Sequence, residues 1–367
     1  MQPFKSGMIV EKADFCGRAQ EIRQLSSHIE SKNRCFLYGE RRVGKTSLVL
    51  ETARRLKKSC ITVDLLGVKT EDDLCRRLIK SILCFHQSKP PQLMELLKQF
   101  AGLRPQVGID PLTNLPTIGL SASAALTIDD LESAFEVLKK YEGAVVFFDE
   151  FQDVLELSNA ETVLSIMRSK IQALTRVAFV YAGSLRNSML DIFTLDSSPF
   201  FKSAFPLNVS AIEEDVFLRF ISEKFIKSRR EVDAVVMHKI YEVCNGVPGD
   251  IQRLCASLWD ISNDEDEIRE ALLPDALKHI FALEIPIYER ILHSISSQQM
   301  KTLLALAELG GESSVSHELI QRTGITLSGS VHKAMKGLVG KRVVCKLNDV
   351  YKFSNPFFKC WLLSKNM

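Results

Sequence analysis

The sequence lacks the features of membrane, secreted and metal-cluster proteins. None of its apolar runs approaches the roughly 20 residues that a membrane-spanning helix needs. Its N-terminal stretch, MQPFKSGMIVEKADF, has no continuous apolar block like that of a signal peptide. The nine cysteines are scattered, odd in number and never spaced as C-x-x-C, which disfavours a disulfide framework or a zinc site. We therefore expect a cytoplasmic protein that has no membrane segment and keeps its cysteines reduced.

The composition is that of a globular protein with an uneven charge. Its 367 residues are 46% hydrophobic and 25% charged, which is enough to bury a large core divided into two or three units. The formal charge is only +2, yet residues 290–367 hold 11 Lys and Arg against 4 Asp and Glu, a net of +7. The C-terminal part is therefore the part expected to meet a polyanion.

A glycine-bounded loop between a short apolar strand and a helix is the most informative motif. It has the form G-x-x-x-x-G-K-[ST], in which the glycines let backbone N–H groups point at a polyphosphate. Lys45 would reach the β and γ phosphates, and the hydroxyl of Thr46 would ligate Mg2+. The predicted nucleotide-contacting residues are Gly39, Glu40, Arg41, Arg42, Val43, Gly44, Lys45, Thr46 and Ser47.

Two adjacent carboxylates follow the apolar run AVVFF downstream of this loop. Asp149 and Glu150 come at the carboxyl end of a predicted strand, where ligands of parallel sheets collect. Asp149 would hold the metal through its water shell, and Glu150 would act as the general base for an attacking water. Ser184, at the end of the next strand, either holds the water or the γ-phosphate, or caps the following helix.

Strand-like runs alternate with helix-period runs through residues 1–210, which predicts an α/β core with a mostly parallel sheet covered on both faces. Residues 103–124 interrupt this pattern with two β-like runs around the turn DPLTNLP. They form either an inserted hairpin or a disordered loop. The predicted strands are 35–38, 60–64, 144–149, 177–182 and 205–209. The predicted helices are 45–58, 71–85, 128–141 and 161–174.

The remaining sequence predicts two further domains, a helical lid at 211–289 and a winged helix at 290–367. Helices at 297–309, 315–323 and 327–339 precede two short strands around Asn348-Asp349, which is the order of a winged helix. Such a module either binds duplex DNA, through backbone contacts, or serves as a packing or autoinhibitory module. The candidate DNA-contacting residues are Lys333, Lys336, Lys341, Arg342 and Lys346, with Ser328, Ser330 and His332 near base edges.

Together these motifs resemble the archaeal-type ATPase family, which belongs to the signal-transducing (STAND) branch of the AAA+ P-loop ATPases and is related to the replication-initiator ATPases. The resemblance covers roughly residues 10–365. It is carried by FCGRAQEI at 15–22, GERRVGKTSL at 39–48, VVFFDEFQ at 145–152, AGS at 182–184 and GVP at 246–248.

The resemblance implies further site residues. The Gly17-Arg18 turn and the segment ending at Pro248 would flank the adenine, and Ser184 would be the first sensor of the γ-phosphate. Arg253 would be a contact to the γ-phosphate from the lid. At 198–205, where relatives carry S-P-L-Y-G-R, this chain has Ser203 in place of the arginine. An arginine finger, and with it efficient hydrolysis between subunits, is therefore in doubt.

The sequence thus predicts a P-loop ATPase of the AAA+ type that binds ATP and Mg2+ and acts as a nucleotide-dependent switch. No N-K-x-D string follows Asp149, so adenine is favoured over guanine. Its expected partners are ATP or ADP, duplex DNA, and a homo-oligomer or protein partner. The alternative is a slow or non-hydrolysing ATP-gated scaffold that binds a protein and no DNA.

Overall fold

The computed structural model describes residues 2–85, 103–109, 116–122, 125–184, 186–347 and 349–365. The chain forms two compact units. The first is Ile9–Ser210, and the second combines Met1–Met8 with Ala211–Met367. The first eight residues, which the sequence suggested as part of the core domain, thus belong with the C-terminal half.

A five-stranded parallel sheet is the centre of the first unit. Its strands are β1 (Cys35–Tyr38), β2 (Cys60–Asp64), β5 (Val145–Asp149), β6 (Ala178–Gly183) and β7 (Phe205–Asn208). They lie side by side in the order β2-β5-β6-β1-β7. Each strand lies within one residue of one of the five predicted runs, so the predicted α/β class is confirmed.

Helices cover both faces of the sheet because neighbouring residues of each strand point to opposite faces. On β1, Cys35 and Leu37 join one buried cluster, while Phe36 joins the other. The first cluster is covered by α1 (Ala19–Glu30) and α2 (Lys45–Arg55). The second is covered by α3 (Glu71–Phe85), α4 (Ile128–Leu138), α5 (Ala160–Ala173) and α6 (Arg186–Thr194).

The interruption at 103–124 contains an antiparallel pair of strands. β3 (Leu103–Ile109) runs against β4 (Pro116–Ala122), with Leu103 opposite Ala122 and Ile109 opposite Pro116. The turn DPLTNLP lies largely outside the described residues. The paired strands correspond to the hairpin alternative.

The N-terminal part of the second unit is helical, as expected of a lid. It also contains a short parallel pair, β8 (Glu231–Val232) and β9 (Glu267–Ile268). The suggested domain boundary between residues 289 and 290 falls inside its last helix, which spans 22 residues. The lid and the following domain are therefore joined by continuous helix. The helices are α7 (Glu214–Lys227), α8 (Ala234–Val243), α9 (Pro248–Ile261) and α10 (Leu273–Ser294).

The C-terminal part has the helix and strand order of a winged helix, as predicted. The strands of the wing are β11 (Val344–Leu347) and β12 (Val350–Phe353). A two-residue strand that the sequence did not reveal, β10 (Glu312–Ser313), pairs with β12 and completes a sheet of order β10-β12-β11. The helices are α11 (Ser297–Glu308), α12 (His317–Thr323), α13 (Ser328–Gly340) and α14 (Pro356–Lys365).

Neither a membrane span nor a metal cluster occurs in the described parts of the chain. No described helix combines the length and the apolar character needed to cross a membrane. No group of three or more His, Cys, Asp or Glu side chains is arranged there to hold a metal ion.

Candidate nucleotide site

The phosphate loop joins β1 to α2, and its two glycines are required for different reasons. A Cβ atom on Gly39 would lie 2.1 Å from the carbonyl oxygen of Val209, so no side chain fits there. Gly44 has a φ of +93°, a left-handed conformation that glycine adopts without steric cost. Together they hold the loop against the sheet and start the helix at Lys45.

Lys45 is folded back over its own loop. Its Nζ atom donates to the carbonyl oxygens of Gly39 at 3.0 Å and Glu40 at 2.8 Å, and the residue is only 6% exposed. Burial lowers the pKa of Lys45 to about 8, an effect that the nearby carboxylates of Glu150 and Asp149 offset only in part. The ammonium group is thus held at the loop by carbonyl oxygens that a phosphate oxygen could replace.

Thr46 and Asp149 meet where α2 begins and β5 ends. The Thr46 hydroxyl donates to Asp149 Oδ2 at 2.6 Å, while Oδ1 accepts the backbone N–H of Glu150 at 3.0 Å. Burial is the largest influence on Asp149 and raises its pKa, although the bond from Thr46 opposes the shift. The two predicted metal ligands therefore lie side by side.

Glu150 occupies a strained backbone position. Its φ is +50° and its ψ is +43°, the left-handed region that residues with a Cβ atom rarely adopt. Its Oε2 atom accepts the Ser184 hydroxyl at 2.7 Å and the Ser184 backbone N–H at 3.3 Å. The structure thus brings the predicted base and the predicted sensor into direct contact.

Gln152 and Asp153 belong to the same network, and the sequence reading had not assigned them a role. Gln152 Nε2 donates to Glu150 Oε2 at 2.7 Å and to Asp153 Oδ1 at 2.8 Å. Asp153 Oδ2 in turn accepts the backbone N–H of Gly67 at 2.7 Å. The available signal is the string DEFQD, in which only Phe151 separates them from Asp149-Glu150.

Arg18 is hydrogen-bonded to the backbone of the phosphate loop. Its guanidinium donates to the carbonyl oxygens of Val43 at 2.9 Å and Ser210 at 2.5 Å, and pairs with Glu21 at 2.8 Å. The residue is 7% exposed. A role of the Gly17-Arg18 turn beside the adenine stays a prediction, which would fall to the backbone because the side chain is already engaged.

The N-terminal segment is attached to the phosphate-loop helix through two of its side chains. Ser47 Oγ accepts the N–H of Val10 at 3.1 Å, and Glu51 accepts the N–H of Lys12 at 3.1 Å. Glu51 is fully buried and also accepts from Arg54 and Arg55. The hydrogen bond from Arg54 is the main reason that the pKa of Glu51 is lowered to about 2. No sequence motif identified Glu51.

The two candidate residues of the second unit lie on α9. Pro248 is its buried first residue. Arg253 pairs with Glu284 of α10, whose carboxylate also accepts from Tyr288 and, at 3.0 Å, from Asn355 Nδ2. The suggested γ-phosphate contact of Arg253 stays a prediction, since this structure engages its guanidinium in an ion pair.

The segment that departs from the family pattern ends at β7. Ser203 is partly buried, and its Oγ atom is buried without a hydrogen-bond partner among the residues that the structure describes. Lys202 is exposed, has a φ of +50° and places its Nζ atom 4.8 Å from the centre of the Phe201 ring. The cation in this segment is thus a lysine at the surface.

The basic residues of the winged helix differ in their contacts. Lys333 and Lys336 are exposed on α13, and within the described residues neither forms an ion pair. Lys341 donates to the Ser294 carbonyl oxygen and to Gln299 Oε1, while Lys346 pairs with Asp349 at 2.7 Å. Arg342 is exposed. Lys333, Lys336 and Arg342 are therefore the residues of this set that are most available to a polyanion.

These features define the class of protein. A parallel sheet of this order, a phosphate loop between β1 and α2, and an acidic pair at the end of β5 are those of a nucleotide-binding P-loop ATPase. A family model described as an ATPase domain predominantly from Archaea matches residues 15–254. Because this match spans more than half of the chain, the protein belongs to that family. A model described as a probable winged helix domain matches residues 286–364.

Solved structures show the same fold at low sequence identity. A Walker-type ATPase of Pyrococcus abyssi superposes with a TM-score of 0.67 and 18% identity, over 98% of this chain and 99% of that one. For the ORC2 protein of Aeropyrum pernix in ADPNP–ADP complexes the values are 0.55, 14%, 100% and 98%. For the ORC1 protein of Aeropyrum pernix in complex with DNA they are 0.54, 14%, 96% and 93%. The comparison with curated proteins gave no match.

Proposed function

We propose that this protein binds ATP together with Mg2+, hydrolyses the ATP, and uses the reaction as a switch between conformations. The observation that carries the proposal is the contact between Glu150 and Ser184. A carboxylate next to Asp149 is held 2.7 Å from a hydroxyl at the end of the neighbouring strand. The carboxyl ends of parallel strands are where an α/β protein binds its ligand, which supports the roles of base for Glu150 and phosphate contact for Ser184.

The donor set fits Mg2+. The oxygen atoms of Thr46 and Asp149 are 2.6 Å apart, and hard oxygen ligands of this kind suit the ion. When bound, Mg2+ would neutralise charge on the phosphate oxygens. Thr46 would then turn its hydroxyl lone pair toward the ion, and Asp149 would hold it through water.

The roles of the other residues follow from their chemistry. Lys45 would exchange the carbonyl oxygens of Gly39 and Glu40 for β- and γ-phosphate oxygens, and the backbone N–H groups of 39–47 would bind the polyphosphate. Glu150 would take a proton from the attacking water. The adenine contacts at Gly17, Arg18 and Pro248 and the γ-phosphate contact of Arg253 are part of this proposal on the strength of the family resemblance.

Phosphate release by the purified protein tests hydrolysis. We expect Mg2+-dependent release that Glu150→Gln and Lys45→Ala abolish, while ATP binding is retained in the first variant and strongly weakened in the second. The matched controls are the exposed residues Glu156 and Lys57, whose changes to Gln and Ala should leave release unaltered. Release that Glu150→Gln and Lys45→Ala leave intact would contradict the proposal.

A second function is favoured by the exposed lysines of α13. We propose that the winged helix binds duplex DNA mainly through its phosphates. Log K falls with log salt by about 0.9 per phosphate contact, so Lys333→Ala with Lys336→Ala should make this slope less steep by about 2. The exposed Lys301 of α11 supplies the control, Lys301→Ala, with an unchanged slope. Fluorescence anisotropy with and without ATP is the measurement, and binding that is absent or insensitive to salt would contradict it.

The alternative of a slow, ATP-gated scaffold is favoured by Ser203. Without an arginine in this segment, hydrolysis between neighbouring subunits loses its usual charge stabilisation. Turnover per subunit, together with the mass in solution under ATP, ADP and no nucleotide, distinguishes the two. Assembly that requires ATP with turnover far below the roughly 1–100 per second typical of kinases would favour the scaffold.

A further inference from the structure

We propose that Gln152 is a positioning residue that keeps the carboxylate of Glu150 in place for hydrolysis when Ser184 turns to the nucleotide. The inference rests on the proposed function, because it assigns Glu150 the role of base and Ser184 that of γ-phosphate contact. Gln152 itself has neither role, because it would act only by holding Glu150.

The two anchors of Glu150 differ in what they can do at the same time. Ser184 has one hydroxyl proton, and in this structure it donates that proton to Glu150. A Ser184 hydroxyl that donates to a γ-phosphate oxygen can no longer donate to Glu150. The Gln152 amide, which has two N–H donors, keeps its bond to Glu150 whatever Ser184 does.

The orientation of the Gln152 amide is fixed by its surroundings. Both of its N–H groups point at carboxylates, those of Glu150 and Asp153, at 2.7 and 2.8 Å. The flipped amide would place its oxygen against two negative oxygens, which is repulsive. The side chain is 4% exposed, so it has no room to rotate into water.

The oxygen of the same amide accounts for the glycine at position 183, because it occupies the space that a side chain there would need. Gln152 Oε1 has no hydrogen-bond partner in the part of the chain that the structure describes, and a Cβ atom on Gly183 would lie 2.2 Å from it. An unpaired buried oxygen costs free energy, and such a cost persists where the amide is needed for something else. Here the amide's two donors are both spent on the network around Glu150.

The network also passes beyond Glu150. Asp153 shares the Gln152 amide and accepts the backbone N–H of Gly67, in the loop after β2. Through the Gln152 amide and Asp153, Glu150 is therefore linked to the loop that follows β2. Its left-handed backbone needs this support, since an unfavourable φ persists only where the surroundings fix it.

Two substitutions separate a hydrogen-bonding role from a space-filling one. Gln152→Met keeps the length and loses both donors, and we expect kcat to fall about 10- to 100-fold with KM for ATP within about twofold. Gln152→Glu keeps the shape and adds charge beside two carboxylates. It should be more impaired at pH 8 and recover activity as the pH falls and its carboxyl gains a proton that it can donate. The exposed Gln172 of α5 gives the control Gln172→Met, expected to be unaffected.

Hydrogen exchange of the nucleotide-free protein gives a readout independent of hydrolysis. The Ser184 N–H is protected by Glu150, so Gln152→Met and Gln152→Glu should both speed its exchange. A wild-type protein that releases no phosphate would overturn the proposed function, while Ser184 exchange would still decide whether Gln152 holds Glu150. Unchanged kcat or unchanged Ser184 exchange in the Met variant overturns this inference. If that variant does not fold, the Glu variant decides by the same two criteria.

Discussion

Thr46 and Asp149 are 103 residues apart in the sequence, yet the hydroxyl of the first donates to the carboxylate of the second at 2.6 Å. This bond joins the first turn of the phosphate-loop helix to the end of the strand that carries the acidic pair. It brings together the two side chains that we propose to hold Mg2+, because a hydroxyl that donates its proton to a carboxylate still has lone pairs to offer a metal ion.

Asp149→Asn should stabilise the nucleotide-free protein. Burial raises the pKa of Asp149, so its carboxyl releases its proton more readily in the unfolded chain. Its charge therefore lowers stability as the pH rises above the unfolded value of about 3.9. We expect the variant to have a higher Tm than wild type at pH 7.5, with a difference that shrinks toward about pH 4.

Calorimetry without nucleotide measures this difference, and the exposed Asp196 supplies the control Asp196→Asn, expected to leave Tm unchanged. The variant should also lack the rise in Tm that we expect ATP with Mg2+ to give the wild-type protein. A lower Tm at pH 7.5 would show that the hydrogen bonds of the charged form outweigh its burial.

ATP affinity should fall as the pH rises through about 8. Burial lowers the pKa of Lys45 to about 8, so the nucleotide-free protein loses the ammonium charge that phosphates need within an accessible pH range. The expected loss is up to about tenfold per pH unit above that value. Titration with a fluorescent ATP analogue between pH 7 and 9.5 measures it.

The step should be absent from Lys45→Met, which binds weakly at every pH, and retained by Lys57→Met at an exposed position of the same unit. An affinity that stays constant to pH 9.5 in the wild-type protein would mean that Lys45 keeps its charge in the buried loop.

The extent to which sequence predicted this molecule depended on the range of the interactions involved. The strands at Cys35–Tyr38 and Val145–Asp149 were found from sequence because buried parallel strands are continuous apolar runs. The pair Glu312–Ser313 was not, since a strand of two residues has no pattern of its own and exists because β12 pairs with it. The helix that runs through the suggested boundary at 289 was not predicted either, because α10 continues from the lid into the winged helix.

The candidate site divides in the same way. Lys45 and Thr46 could be predicted because the phosphate loop needs those residue types at fixed spacing, and Asp149 because it ends a buried apolar strand. Gln152 was not assigned a role, because it depends on a bond to Glu150 and on the space left by Gly183, which comes from another strand. Roles set by contacts between distant segments leave no local pattern.

Gly39→Ala should destabilise the first unit and abolish nucleotide binding. Its Cβ atom would lie 2.1 Å from the Val209 carbonyl oxygen, which is backbone and cannot turn away. We expect a loss of about 1–3 kcal/mol, as for other forced contacts in a packed interior. A Cβ atom added to Gly340, at the end of α13, would lie in open space, so Gly340→Ala should be neutral or stabilising by up to about 1 kcal/mol. Denaturant unfolding compares the two, and equal effects would contradict the steric account.

Glu284→Ala should destabilise the second unit more than Glu289→Ala does at an exposed position of the same helix. Glu284 is 6% exposed and its carboxylate accepts from Arg253, Tyr288 and Asn355. Removing it leaves a largely buried guanidinium without its partner, at a cost of about 3 kcal/mol. Burial alone would raise the pKa of Glu284, but the three hydrogen bonds outweigh it and the pKa lies below its ordinary value.

A carboxyl with a lowered pKa contributes stability above its unfolded pKa of about 4.3, and loses it as the pH falls through the folded value. The difference in unfolding free energy between wild type and Glu284→Ala should therefore be full at pH 7 and shrink below about pH 4, whereas Glu289→Ala should differ little from wild type at either pH. Because α10 is continuous from the lid into the winged helix and Asn355 precedes α14, this carboxylate connects both parts of the unit. A Glu284→Ala variant as stable as Glu289→Ala at pH 7 would mean that packing alone, without the charge, holds the winged helix to the lid.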